Sequence, residues 1–312
     1  MTVVSLIVRL ALGVPIAYGC AVLFAPGWML ERSRALEARS AGLTRKTVQV
    51  DDHEVAYFEG GQGQPLLLVH GFGASKDMWP RYAKELMEHY RVVAPDLPGF
   101  GDSSYIKGAH YGCREQAARL NRFVDALDLG PVHIGGNSIG GSIAGTFAAL
   151  YPEMTRSLLL MNNGAMAMPS PSDYQKDLDG GRNPLIVRSL SDVPVLFAYA
   201  FGKPPVLPPL AGRIVAHDAV PRANDYAVIF DQIAADEDLL TGLLNQITAP
   251  TLVMWGRLDR VLDVSIVDTI DAHMTHHEKV IYDDLGHIPA MEDPKRSARD
   301  HLAFLQSSNR AG

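Results

Sequence analysis

Hydrophobic positions change their pattern three times along the chain. Residues 10–30 read LALGVPIAYGCAVLFAPGWML and carry no charge. A helix of that length, rising about 1.5 Å per residue, spans about 30 Å, the thickness of a bilayer core. Pro15 and Pro26 would break an isolated soluble helix, whereas membrane helices tolerate proline. Trp28 near the far edge and Arg9 before the run fit interfacial and snorkelling positions. A cleavable signal peptide has a shorter apolar region, and this run continues past any small-residue cleavage site. A lipoprotein signal ending at Cys20 is disfavoured by bulky Tyr18 and by the apolar residues that follow, and a buried helix of a soluble domain is the remaining alternative. The pattern therefore predicts an uncleaved transmembrane helix, continued by a juxtamembrane helix over residues 31–43.

Short apolar runs then alternate with helical stretches. A hairpin is predicted over 44–50 and 53–59 around Asp51 and Asp52. Further strands are predicted over 65–69, 91–95, 132–135, 157–161, 251–255 and 279–282, and helices over 80–89, 114–129, 139–150, 264–274 and 294–305. Such alternation implies an α/β fold with a mainly parallel sheet covered by helices on both faces. Between Ala165 and Ala249 it breaks down. Prolines crowd from Pro169 to Pro221, residues 185–201 are strongly apolar, and 225–244 read as helical. A proline-rich insertion of this kind reads as a cap or lid over an active site. The expected organisation is an anchor and juxtamembrane helix at 1–43, a core at 44–164 and 250–312, and the cap at 165–249.

Composition sharpens this picture in few places. The 312 residues are 47% hydrophobic and 20% charged, ample for one large domain with an insertion. A net charge of −7 argues against a general nucleic-acid partner. The 2 cysteines, Cys20 and Cys113, can form neither a disulfide framework nor a cysteine zinc site. Arg32, Arg34, Arg39, Arg45 and Lys46 follow the apolar run and only Arg9 precedes it, a bias that places the body on the cytoplasmic side. Gly13 and Gly19 give the run small residues through which it can self-associate, so a homodimer is an expected assembly.

The strongest chemical signal is Gly136-Asn137-Ser138-Ile139-Gly140, a G-x-S-x-G pattern between a predicted strand and a predicted helix. That setting describes a nucleophile elbow, with Ser138 exposed above the sheet and the Ile139 N–H at the positive end of the helix. A serine nucleophile needs a base and an orienting carboxylate. His287 lies in a Gly-His turn after the last strand, and Asp259 follows the strand over 251–255, with Asp263 as the competing acid. The order Ser138, Asp259, His287 suits this fold. Phe72, in the loop after strand 65–69, supplies a second oxyanion N–H beside that of Ile139, and His70 braces the same loop. With neither a Walker loop nor G-x-G-x-x-G, and with no metal-site spacing in His273, His276 and His277, no cofactor or metal is expected.

At these residues the chain resembles the α/β-hydrolase superfamily. The block His70-Gly71-Phe72-Gly73-Ala74-Ser75-Lys76-Asp77-Met78-Trp79 is similar to that of bacterial family V lipases and membrane-anchored monoacylglycerol lipases and phospholipases A. Asp96-Leu97-Pro98-Gly99-Phe100-Gly101 and the stretches around Asp259 and from Gly286 to Glu292 match as well. The resemblance covers residues 44–306 except the cap. It implies a cofactor-free carboxylic ester hydrolase acting on lipid esters through an acyl-enzyme. It also implies a single-pass protein of the inner membrane with its body in the periplasm, against the charge bias. Carbon–carbon bond hydrolases share a Gly-Asn-Ser elbow, and a non-catalytic lipid-binding receptor could share the fold. The apolar run counts against the first and the Ser-Asp-His order against the second.

Overall fold

Strands β1 (Thr44–Val50) and β2 (His53–Gly60) form an antiparallel hairpin. Val50 faces His53, and the two-residue turn between them holds Asp51 at φ 50°, a place where a tight turn accepts positive φ. The chain continues through β3 (Gln64–Val69), β4 (Tyr90–Pro95), β5 (Val132–Asn137), β6 (Thr155–Met161), β7 (Thr251–Gly256) and β8 (His277–Tyr282). In the computed structural model, which describes residues 26–311, these strands make one sheet in the order β1-β2-β4-β3-β5-β6-β7-β8. From β4 to β8 every pairing is parallel, while β2 meets β4 antiparallel.

Alternate residues of the central strands feed two cores. Leu67, Val69, Ile134, Leu158 and Val253 pack under α3 (Cys113–Ala126), α4 (Ile139–Leu150) and α9 (Ile266–His273). Leu66, Leu68, Val92, Leu159 and Met254 pack on the other face against α1 (Pro26–Ala41), α2 (Pro80–Lys84) and α11 (Pro294–Ala311). Both faces are dry, so these strands read as continuous apolar runs. The sheet's two edges differ. β1 is exposed along most of its length and carries Arg45 and Lys46, and β8 exposes Glu278 and Lys279.

Between β6 and β7 the chain builds α5 (Asp173–Asp179), α6 (Asp192–Ala200), α7 (Pro209–Ala219) and α8 (Ala223–Ala234). The helix predicted to run from 225 to 244 ends ten residues early. There the Asp236 carboxylate takes the Cys113 N–H at 2.7 Å, and the Leu240 N–H is drawn to the Ala165 carbonyl at 3.0 Å. The helix predicted over 80–89 also closes early, at Lys84, before the chain turns into β4.

The expected single-pass location in the inner membrane is corrected. Among the described residues no helix is long and apolar enough to cross a membrane. The far end of the expected span, residues 26–30, instead opens α1, which continues with the sequence ERSRALEARSA. Ala38 and Ala41 of α1 are buried in the core, and Gly27 lies against His217 of α7. A hydropathy window counts residues without knowing where the chain turns into a helix of the body, and here the end of the run opens α1 beside α7 while Trp28 stays exposed. The rest of the run, with the glycines on which the homodimer rested, lies outside the described residues.

Two of the buried histidines, His133 and His301, have strongly lowered pKa values. His301 on α11 shares a 2.8 Å hydrogen bond with the Tyr82 hydroxyl, and burial pushes its pKa down to about 3. His133 on β5 pairs with Ser157 and Gln64, each at 2.8 Å, and burial brings it down to about 4. The unfolded chain takes up these protons below about pH 6.5, whereas the fold resists until its own lower values. Stability present above pH 6.5 is therefore lost on acidification, by about 1.4 kcal/mol per pH unit per histidine within the window. Thermal melts from pH 7 to pH 4 should show a falling Tm, with a shallower slope in His301→Gln. Parallel slopes in the two proteins would refute this account.

Candidate active site

β5 runs into Ser138, and α4 leaves from Ile139. Ser138 adopts φ 58° and ψ −129°, a strained conformation for a residue with a Cβ. Its neighbours hold it there. The Ser138 N–H donates to the Met161 carbonyl at 2.9 Å, and its own carbonyl accepts from Gly141 N–H at 2.9 Å and Ser142 N–H at 3.2 Å. The glycines of the pattern have a steric cause. A Cβ on Gly136 would lie 2.3 Å from the Gly140 carbonyl, and one on Gly140 would lie 2.3 Å from the His70 carbonyl oxygen. Only glycine lets strand, turn and helix close so tightly.

His287 and Asp259 meet close to this turn, next to Asn137. Nδ1 of His287 lies 2.8 Å from Oδ2 of Asp259, and both side chains are buried. Oδ2 also accepts from Asn162 Nδ2 at 2.7 Å, while Oδ1 accepts from the Val261 and Leu262 N–H groups at 2.7 and 3.0 Å. An ionised carboxylate can only accept, so Nδ1 of His287 is the donor, and in the neutral imidazole Nε2 is left with its lone pair. Asn137, the residue before Ser138, donates to the His287 carbonyl at 2.8 Å and so ties the histidine loop to the elbow. Asp263 does not join this group. Its carboxylate caps the start of α9 through Ser265 N–H at 2.9 Å.

Ser138, Phe72 and Ile139 line one cavity of about 600 Å³. Its other walls are mostly apolar, including Met166, Met168, Leu178, Phe230 and Leu262, with Glu237 and Asp238 also on its lining. The Phe72 ring is fixed edge-on to Phe100 at 5.7 Å and to Phe230 at 5.6 Å. Phe72's loop is held by a buried ion pair. Lys76 Nζ lies 2.8 Å from Asp96 Oδ2 and also contacts Asp102, while the Lys76 N–H donates to Asp96 Oδ1 at 2.6 Å. His70 braces the same loop. It bonds to the Gly71 carbonyl at 2.8 Å through Nδ1 and accepts the Leu97 N–H at 2.9 Å through Nε2, and burial lowers its pKa.

Sequence reasoning passed over Asn162. Buried at φ 42°, it grips Asp259 with Nδ2 and takes the Gly256 N–H at 3.2 Å with Oδ1. The available signal was its place at the carboxyl end of a parallel strand, the edge where α/β sheets build their sites. Glu292 went without a role too, although it lies within a recognised block. Its carboxylate accepts from Gly286 N–H at 2.8 Å and from Gly202 N–H at 2.9 Å.

Comparison with known proteins places the chain in a family. Residues 64–294 match the family model of the α/β hydrolase fold. Lipase 1 of Psychrobacter immobilis is 33% identical over 258 residues, 80% of this chain and 80% of that protein. Monoacylglycerol lipase ABHD6 of Homo sapiens is 29% identical over 288 residues, 86% of this chain and 84% of that protein. Among solved structures, a bacterial membrane phospholipase A superposes with a TM-score of 0.89 at 40% identity, covering 98% of this chain and 99% of its own. The chain thus belongs to the α/β-hydrolase fold family, as a carboxylic ester hydrolase of its branch of lipases, monoacylglycerol lipases and phospholipases.

Proposed function

We propose that this chain hydrolyses carboxylic esters of lipids through an acyl-enzyme on Ser138, with His287 as general base and Asp259 as its orienting carboxylate. The observation that carries the reading is the buried Asp259–His287 pair, tied through Asn137 to the elbow of a strained serine that opens into a largely apolar cavity. Ser138 Oγ attacks the acyl carbonyl while Nε2 of His287 takes its proton. The Phe72 and Ile139 N–H groups receive the developing oxyanion, the latter at the positive end of α4. The imidazolium then protonates the leaving alcohol. Water, deprotonated by His287, attacks the acyl-enzyme, and Ser138 regains its proton as the fatty acid leaves.

Residues 165–249 act as a cap over the core formed by 44–164 and 250–312. Tyr174 and Leu178 of α5 and Phe230 and Ile233 of α8 wall the cavity that Ser138 enters, so the insertion shapes the acyl and head-group sites. By analogy with the relatives, the preferred substrates are monoacylglycerols, lysophospholipids and phospholipids, with triacylglycerols hydrolysed least.

A fluorophosphonate probe should label the wild type and leave Ser138→Ala unlabelled, with ester hydrolysis reduced about 10⁴-fold or more. Equal labelling of the two would sink the proposal. A panel of monoacyl, lysophospholipid, diacyl and triacyl substrates checks the expected order by release of free fatty acid. Asn162→Leu leaves Asp259 short of one donor and the buried Gly256 N–H unpaired. It should cost about 1–3 kcal/mol of stability in denaturant titrations and lower kcat on any ester. Wild-type stability and kcat in that variant would remove Asn162 from the machinery.

A further inference from the structure

The loop that carries His287 rests on a carboxylate that the mechanism above does not use. Glu292 ends the short helix α10 (Pro289–Glu292) and is turned back beneath the loop. Its Oε1 accepts from Gly286 N–H at 2.8 Å and Ile288 N–H at 3.3 Å, the residues on either side of His287. Its Oε2 accepts at 2.9 Å from the N–H of Gly202, which belongs to the insertion and follows α6. Three backbone donors on one carboxylate make a charge-assisted nest, strong and demanding in geometry.

The segments joined in this way are already in contact. A Cβ on Gly286 would lie 2.1 Å from the Gly202 nitrogen, and one on Gly256 would lie 2.1 Å from the Gly286 carbonyl oxygen. The exit of β7, the histidine loop and the corner of the insertion therefore meet backbone to backbone, with Glu292 supplying the acceptors that hold two of them together.

We propose that Glu292 is a positioning residue that fixes the His287 loop and the Gly202 corner of the insertion as one unit and places a negative charge near the imidazolium formed during catalysis. The proposal rests on the triad reading above. It gives the insertion a fixed end: at Gly202 the cap is part of the histidine's frame, so any movement that admits substrate must occur elsewhere along residues 165–249. Electrostatic attraction between Glu292 and His287 accompanies the hydrogen bonds, while burial raises the pKa of Glu292. The other charges around this corner are Asp259, in direct contact with His287, Asp293, next to Glu292, Lys203, next to Gly202, and the exposed Arg296–Asp284 and Arg257–Asp283 pairs at 2.9 and 2.6 Å. All of them remain when Glu292 is replaced.

Glu292→Gln and Glu292→Asp separate charge from geometry. The assay is hydrolysis of p-nitrophenyl butyrate, with folded sites counted by stoichiometric fluorophosphonate titration so that unfolded protein does not enter kcat. Glu292→Gln should lower kcat per site about tenfold to a hundredfold with KM within about twofold of wild type. Losing the anion disfavours the imidazolium, so the acid limb of kcat/KM should also move to lower pH, by about half a unit. Glu292→Asp keeps the charge but shortens the reach, and should lower kcat with the limb in place. An active wild type alongside a Glu292→Gln variant with unchanged kcat per site and an unchanged limb overturns the role of Glu292 alone. A wild type that neither hydrolyses the ester nor takes up the probe overturns the triad reading, and the positioning role with it.

Discussion

Main-chain atoms at the carboxyl edge of the parallel sheet lie closer together than any side chain would permit. Gly136 and Gly140 bring β5 and α4 against the carbonyl of His70, and Gly256 and Gly286 bring the exits of β7 and β8 against each other and against Gly202. A parallel sheet covered on both faces delivers its strand ends to one edge, so the loops that leave them must share a small space. Glycine at each contact resolves the crowding. The positions of Ser138, Asp259 and His287 are consequently set by backbone packing more than by free rotamers, which is how a site is held ready before substrate arrives.

Polar groups within this frame are satisfied locally. The Asp96 carboxylate is fully buried yet takes the Lys76 ammonium, the Lys76 N–H and, at 2.8 Å, the Asp102 N–H. Desolvating such a pair is costly, and several hydrogen bonds to one carboxylate offset that cost. The same region reaches the chain's first described helix. Arg34 of α1 lies 3.3 Å from Asp77 in the Phe72 loop and 3.0 Å from Asp218 on α7. One guanidinium thereby joins α1, the core and the insertion.

Much of the fold was legible because strands buried on both faces leave an unmistakable mark. PLLLV, RVVAP and TLVMW are short apolar runs, and the predicted strand limits fall within two residues of the observed ones. The elbow was legible for a different reason: its glycines answer to sterics inside a five-residue stretch. Asn162 was not, because its amide matters only once β6 and β7 lie side by side and bring Asp259 within reach. Glu292 escaped for the same cause, since its partner Gly202 is ninety residues away in sequence. The apolar N-terminal run misled at its far end, where residues from Pro26 onward are folded onto the body as α1.

The sheet's open edges also shape how this enzyme tolerates company. An unpaired strand offers its N–H and carbonyl groups to any neighbouring chain, and charged side chains along it make such pairing unfavourable. Lys46 and Arg45 stand along β1, leaning on Glu59 at 2.7 Å and Asp102 at 3.1 Å, and Lys279 stands on β8 beside Asp271 at 2.6 Å. Because each cation is held at its post by a local carboxylate, both rims of the sheet stay guarded against edge-to-edge aggregation, even at high protein concentration.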